Sequence, residues 1–173
     1  MKKLLIMISV LTLCLTFLLV IPAMAVEPTV TTSRSGPDEV NVGAVQSWTI
    51  TIEICPDDED LEEVIVQGGV GADLVITSYT TPAQGTVSTE KKGKGKMGAT
   101  IVKWDIGTLL VSNDCLTLEL TVQTGFNPKD KQEFTSAELG HELDGGFSAT
   151  YTYDGIEYET IETEPLTVDV LEG

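Results

Sequence analysis

Strict two-residue alternation governs the strongest apolar segments of this chain and limits what it can become. Trp48, Ile50, Ile52 and Ile54 share one parity, and Thr49, Thr51 and Glu53 hold the other. Leu116, Leu118, Leu120 and Val122 alternate with Thr117, Glu119, Thr121 and Gln123 in the same way. Successive side chains of a strand point to opposite sides, so each segment reads as a strand with one buried face. No sustained helical period competes with this pattern. Further strand-like runs cover Thr29 to Ser33, Glu63 to Gln67, Leu74 to Tyr79, Gly85 to Thr89, Thr100 to Asp105 and Leu166 to Val170. Their spacing, punctuated by Gly, Pro, Asn and Asp, predicts an all-β antiparallel sandwich.

One pairing is legible residue by residue. Asp154-Gly155 separates Phe147 to Tyr153 from Ile156 to Glu162, and Asp-Gly supplies the positive φ angles of a two-residue hairpin loop. That loop sets Tyr153 opposite Ile156 and Tyr151 opposite Tyr158 on one side, with Thr152 opposite Glu157 and Thr150 opposite Glu159 on the other. The tyrosines share a face with Phe147, Ala149 and Ile156, which argues for the buried side of a sheet over an exposed sugar-stacking platform.

The N-terminus bears on where the chain works. Lys2 and Lys3, an apolar run from Leu4 to Ile21, Pro22 and Ala23-Met24-Ala25 form the pattern of a secretory signal peptide cleaved after Ala25. Residues 1–25 are therefore expected to be removed, Cys14 with them, leaving 26–173 as a single domain. Without Lys2 and Lys3, 8 basic residues face 27 acidic ones, a formal charge of −19. Nucleic acid and anionic membrane surfaces are poor partners for such a chain. Once the signal is cleaved, no membrane insertion is expected. The product is secreted, extracellular or at the cell surface, or periplasmic where an outer membrane retains it.

Cys55 and Cys115 then form an even pair in a compartment where disulfides persist, and they are expected to bond. Each shares the polar parity of its strand, Cys55 with Glu53 and Cys115 with Thr117. A bridge across the core needs inward parity at both ends, so this one is expected at a sheet margin or between loop ends.

Catalytic chemistry finds little support, and the chain is read as a non-enzyme with no cofactor. His141 is its one histidine and reads as a solvated loop residue, and with two cysteines it falls short of four zinc ligands. Clustered carboxylates at Asp57, Asp58, Glu59 and Asp60 are the hard oxygen donors calcium prefers, yet they lack the spacing of a dedicated calcium loop. A solvated acidic turn is the simpler reading, with Asp57, Asp58 and Asp60 the calcium candidates. Lys91, Lys92, Lys94 and Lys96, interrupted by Gly93 and Gly95, form a basic hairpin tip. The simplest role for that tip is solubility, and the sharper one is docking on the acidic turn of a neighbouring copy.

Several segments resemble the prokaryotic extracellular surface-repeat domain known as domain of unknown function eleven. They are Ser35-Gly36-Pro37-Asp38-Glu39-Val40-Asn41-Val42-Gly43, the strand Gln46 to Ile52, Val102-Lys103-Trp104-Asp105-Ile106-Gly107-Thr108-Leu109, and the strand Leu116 to Val122. The resemblance covers most of Ser35 to Thr124. It implies an immunoglobulin-like sandwich used as a building block of extracellular proteins, with no catalytic residues. The chain differs from that family's tandem arrays in being a single short module and in its cysteine pair. The expectation is a secreted, non-catalytic structural or adhesive module that associates with itself or with protein partners. The alternative is a soluble binding module for calcium or carbohydrate.

Overall fold

The computed structural model describes residues 26–92, 99–124 and 133–173. The expected signal peptide lies outside them. Among the described residues no helix is long and apolar enough to cross a membrane. The strands in chain order are β1 (Thr29–Ser35), β2 (Glu39–Asn41), β3 (Ser47–Cys55), β4 (Leu61–Val70), β5 (Val75–Tyr79) and β6 (Thr86–Lys91). They continue with β7 (Thr100–Leu109), β8 (Leu116–Gln123), β9 (Glu138–Glu142), β10 (Asp144–Tyr153), β11 (Ile156–Glu159) and β12 (Thr167–Leu171).

Two antiparallel sheets, ordered β1-β3-β8-β5 and β11-β10-β4-β7-β6, form the immunoglobulin-like sandwich. A small third sheet, β2-β12-β9, closes one side, with β12 parallel to β2. The alternation seen in the sequence is the inner face of the first sheet, where Trp48, Ile50, Ile52, Ile54, Leu118, Leu120 and Val122 are all buried. Val64, Val66, Val102, Trp104, Phe147 and Ala149 cover them from the second sheet in one continuous core. Neither tryptophan spends its indole N–H on solvent. Trp48 Nε1 donates to the Pro37 carbonyl at 2.9 Å and Trp104 Nε1 to the Gln84 carbonyl at 2.9 Å. Gly36 lies flat against the Trp48 ring, where a Cβ would come within 2.5 Å of Cδ1. This contact gives the Ser35-Gly36-Pro37 motif a packing role.

The expected hairpin has the expected register. Tyr151 pairs with Tyr158 and Tyr153 with Ile156 across Asp154 (φ 51°) and Gly155 (φ 74°). The Tyr151 and Tyr158 rings stack 5.6 Å apart. Tyr151 is buried and donates its hydroxyl to the Val26 carbonyl at 2.8 Å, so it is core. Ile156 is more exposed than its parity suggested, because β11 is the outermost strand of its sheet. Strand β1 is also an edge strand, paired along its whole length with β3.

Alternation breaks once on β4 and once on β7, at the same level. Leu61 and Val64 both point inward, as do Ile106 and Leu109, so each strand carries an extra residue there. Glu63 takes the positive φ of 52° and Gly107 one of 78°. These are β-bulges, and because they face each other Leu61 still pairs with Leu109. The register of β10 against β4 slips between Thr150 and Thr152, which carries the irregularity across three strands.

Asp144 is the buried carboxylate of the core's margin. Its Oδ1 accepts from the Leu166 N–H at 2.9 Å and the Gly146 N–H at 3.2 Å, and its Oδ2 has no hydrogen-bond partner among the described residues. Burial raises its pKa from the ordinary 3.8, against the two backbone donors, and Glu142 adds to the rise. An acid whose folded pKa is raised adds stability below its unfolded pKa, and that stability is lost as pH rises through the folded value. Asp144→Asn keeps the Oδ1 acceptor and removes the charge. The variant should melt higher than the parent at neutral pH, and it should lack the part of the parent's loss of stability that comes as pH rises from about 4 through the raised pKa of Asp144. Asp144→Ala instead strands two backbone donors and should lower stability by about 1–3 kcal/mol. Thermal melts across a pH series test both.

Candidate functional site

The bulged outer face of the five-stranded sheet is concave and acidic. Glu62, Glu63, Asp105 and Glu157, with Thr150 and Thr152, line a cleft of about 610 Å³. A second depression of about 500 Å³ adjoins it through Glu62, Thr108 and Thr152 and adds Glu59, Asp60 and Asp154. Among the described residues seven carboxylates line the pair, and no Lys or Arg does. The bulge builds this surface, since it puts Glu62 and Glu63 outward in succession where alternation would have turned one of them inward. Glu63 is held there by Thr152, whose hydroxyl donates to Oε2 at 2.9 Å. The Tyr153 phenol registers the accumulated negative charge: Asp154 first, then burial and Glu59, push its pKa up.

Asp57, Asp58, Glu59 and Asp60 form an exposed turn at the same end of the molecule, between β3 and β4. Asp60 Oδ1 accepts the Val111 N–H at 2.7 Å and ties this turn to the β7–β8 loop. Among the described residues the one group of three His, Cys, Asp or Glu ligand atoms within 4.8 Å of one another is Glu53, Cys55 and Cys115. Asp57, Asp58 and Asp60 are therefore not gathered into a cage. The two cysteines of that group are bonded to each other, so it offers no pair of thiolates.

The disulfide lies at the sheet margin, as parity required. Cys55 ends β3, Cys115 directly precedes β8, and their Cα atoms are 4.2 Å apart. Ile54 pairs with Leu116 next to them, so the bridge staples the ends of two neighbouring strands and leaves the core to hydrocarbon.

Lys91 and Lys92 are exposed at the far end of the same sheet. Lys91 pairs with Thr100, and the Lys92 N–H donates to the Ala99 carbonyl at 2.9 Å. Lys94 and Lys96 lie outside the described residues. Strand β4 runs from the acidic end, where Leu61 meets Leu109, to the basic end, where Val70 meets Thr100. Ten residues of strand separate the two by about 30 Å.

His141 corrects the sequence reading. It belongs to β9, with its side chain 22% exposed, and it is no loop residue. The Phe134 ring meets it edge-on at 4.5 Å and continues to Trp48 at 6.1 Å. Its Nδ1 lies 2.9 Å from Glu138 Oε2 and its Nε2 lies 3.6 Å from Asp73 Oδ2. These residues line a depression of about 320 Å³ with Glu142, Gly71 and Gly140. Sequence reasoning had no signal for this cluster, because Asp73 comes from the β4–β5 turn and the short β9 lacks apolar alternation.

No protein-family model matches the chain, and no curated protein matches it in sequence. Among solved structures, the major pilin subunit BcpA of Bacillus cereus superposes with a TM-score of 0.51 at 13% identity, over 83% of this chain and 40% of the pilin. That likeness shows the fold. A C-terminal fragment of the major pilin GBS80 of Streptococcus agalactiae matches at 0.46 and 12% identity, over 83% of this chain and 56% of the fragment. A non-cellulosomal cohesin of Archaeoglobus fulgidus matches at 0.43 and 12% identity, over 84% and 92% of the two chains. This chain thus spans about two fifths of the length of the BcpA pilin chain.

Proposed function

We propose that this protein is an exported, non-catalytic structural or adhesive module of the cell surface or extracellular matrix, and that copies of it associate head to tail. The observation that carries this reading is the opposition of charge along one sheet. An acidic cleft lined by no basic residue among those described occupies one end, and Lys91 and Lys92 at the start of the β6–β7 tip occupy the other. A surface patch that fits a different patch on the next copy makes a heterologous contact, which extends into a filament unless it closes into a ring. The resemblance of Ser35 to Thr124 to the surface-repeat domain, the sandwich shared with a pilin domain and the disulfide support an extracellular setting.

Exposed ion pairs contribute little each and are screened by salt. Light scattering should therefore find species heavier than one chain at low ionic strength that dissociate as salt is raised. Reversing charge with Lys91→Glu and Lys92→Glu should abolish them with the melting temperature unchanged. Assemblies that survive both treatments would exclude the charged contact as the cause.

A further inference from the structure

We infer that His141 and Asp73 form the protein side of a weak site for a transition-metal dication of the zinc type. This proposal is independent of head-to-tail assembly. Glu138 as a carboxylate only accepts, so at 2.9 Å the Nδ1 position must donate to it. The neutral imidazole then presents a lone pair at Nε2, and 3.6 Å away stands another acceptor, Asp73 Oδ2. Two acceptors at that distance are matched by something electrophilic between them.

A zinc ion at its ordinary 2.0–2.1 Å from a nitrogen and an oxygen ligand would subtend about 120° between atoms so spaced. That angle lies near the tetrahedral value. The remainder of the site has the form metal centres use. A carboxylate on the far nitrogen fixes the tautomer, orients the ring and makes the ligating nitrogen more basic. Phe134 packs edge-on against the imidazole and restrains its rotation. The small residues Gly71, Ala72 and Gly140 leave the depression of about 320 Å³ open to water. Two side chains are the protein's ligands and water completes the shell, since no third His, Cys, Asp or Glu among the described residues joins this pair within 4.8 Å. An imidazole paired with one carboxylate suits zinc, copper or nickel, whereas calcium prefers oxygen alone. The ion would tie β9 to the β4–β5 turn.

The competing occupant of the same gap is a proton, which makes His141 a cation between two carboxylates. Titration of the purified protein with zinc chloride at constant neutral pH separates the two, read on the carbon-bound imidazole protons by NMR. The chain has one histidine, so those signals are unambiguous. The expected result is a saturable shift that calcium chloride does not reproduce. Loss of an outer-shell partner weakens metal binding by about 10–100-fold. Glu138→Gln should therefore weaken the zinc response about tenfold, and Asp73→Asn by at least as much. The amide spectrum of each variant reports whether it is folded. Imidazole signals indifferent to zinc would overturn the proposal and leave the proton as the sole occupant, and identical titrations of the parent and Asp73→Asn would overturn it by removing Asp73 as a ligand.

Discussion

Replacing Cys55 and Cys115 together by serine should lower the stability of the oxidised protein by about 4 kcal/mol. The bridge spans 60 residues of sequence, and on the chain-entropy account a crosslink stabilises by restricting the unfolded ensemble, more for longer loops. The position of the bridge isolates this effect. Both cysteines lie outside the apolar core, next to a β3–β8 ladder that already pairs Ile54 with Leu116 through to Ser47 with Gln123. Serine therefore removes little packing, and most of the loss should come from the denatured state. Urea unfolding should show a lower midpoint together with a steeper denaturant dependence, because the uncrosslinked denatured chain exposes more surface. The parent treated with reductant should match the double variant. A loss below about 1 kcal/mol would contradict the entropic account for this loop.

Trp104→Ala should lower stability by about 3–5 kcal/mol, the range for emptying a large aromatic site in a core. Trp104 is 0% exposed and sits on β7, an inner strand of the five-stranded sheet, with β4 Val66 and β6 Val87 as its cross-strand partners. Alanine leaves a cavity between the sheets and also strands the Gln84 carbonyl that accepts the indole N–H. Trp104→Phe separates the two effects, keeping most of the hydrocarbon while still losing the hydrogen bond. It should cost about 0.5–1.5 kcal/mol for the lost hydrogen bond, whose surroundings are only partly buried. Chemical denaturation of the three proteins tests the ordering. If Trp104→Phe were as damaging as Trp104→Ala, the hydrogen bond would outweigh the packing.

Where one face of a strand is buried and the other wet, the sequence carries the structure openly. The inner face of β3 and β8, the Asp154-Gly155 hairpin register and the margin placement of the disulfide could all be read from alternation, since a one-residue slip would reverse every side chain. Short strands of the small sheet do not meet that condition. Strand β2 is three residues long, and β9 is Glu138-Leu139-Gly140-His141-Glu142 with Leu139 76% exposed. Neither displays a two-period of apolar residues, because both belong to a small sheet held mainly by its pairing with β12. His141 therefore looked like a loop residue. The same limit hid the matched bulges of β4 and β7, which show in the sequence only as a skipped apolar position.

The sequence by itself determined the all-β class, the inward faces of the principal strands, the net acidity and the candidate cysteine pair. All of these follow from the local period of the chain or from simple counting. Tertiary structure alone decided which charges meet. It put the acidic cleft and the lysines at opposite ends of one sheet and brought Asp73 to His141. Those relations depend on how strands distant in sequence are ordered and registered, and local alternation says which way a residue faces but not which residue it faces.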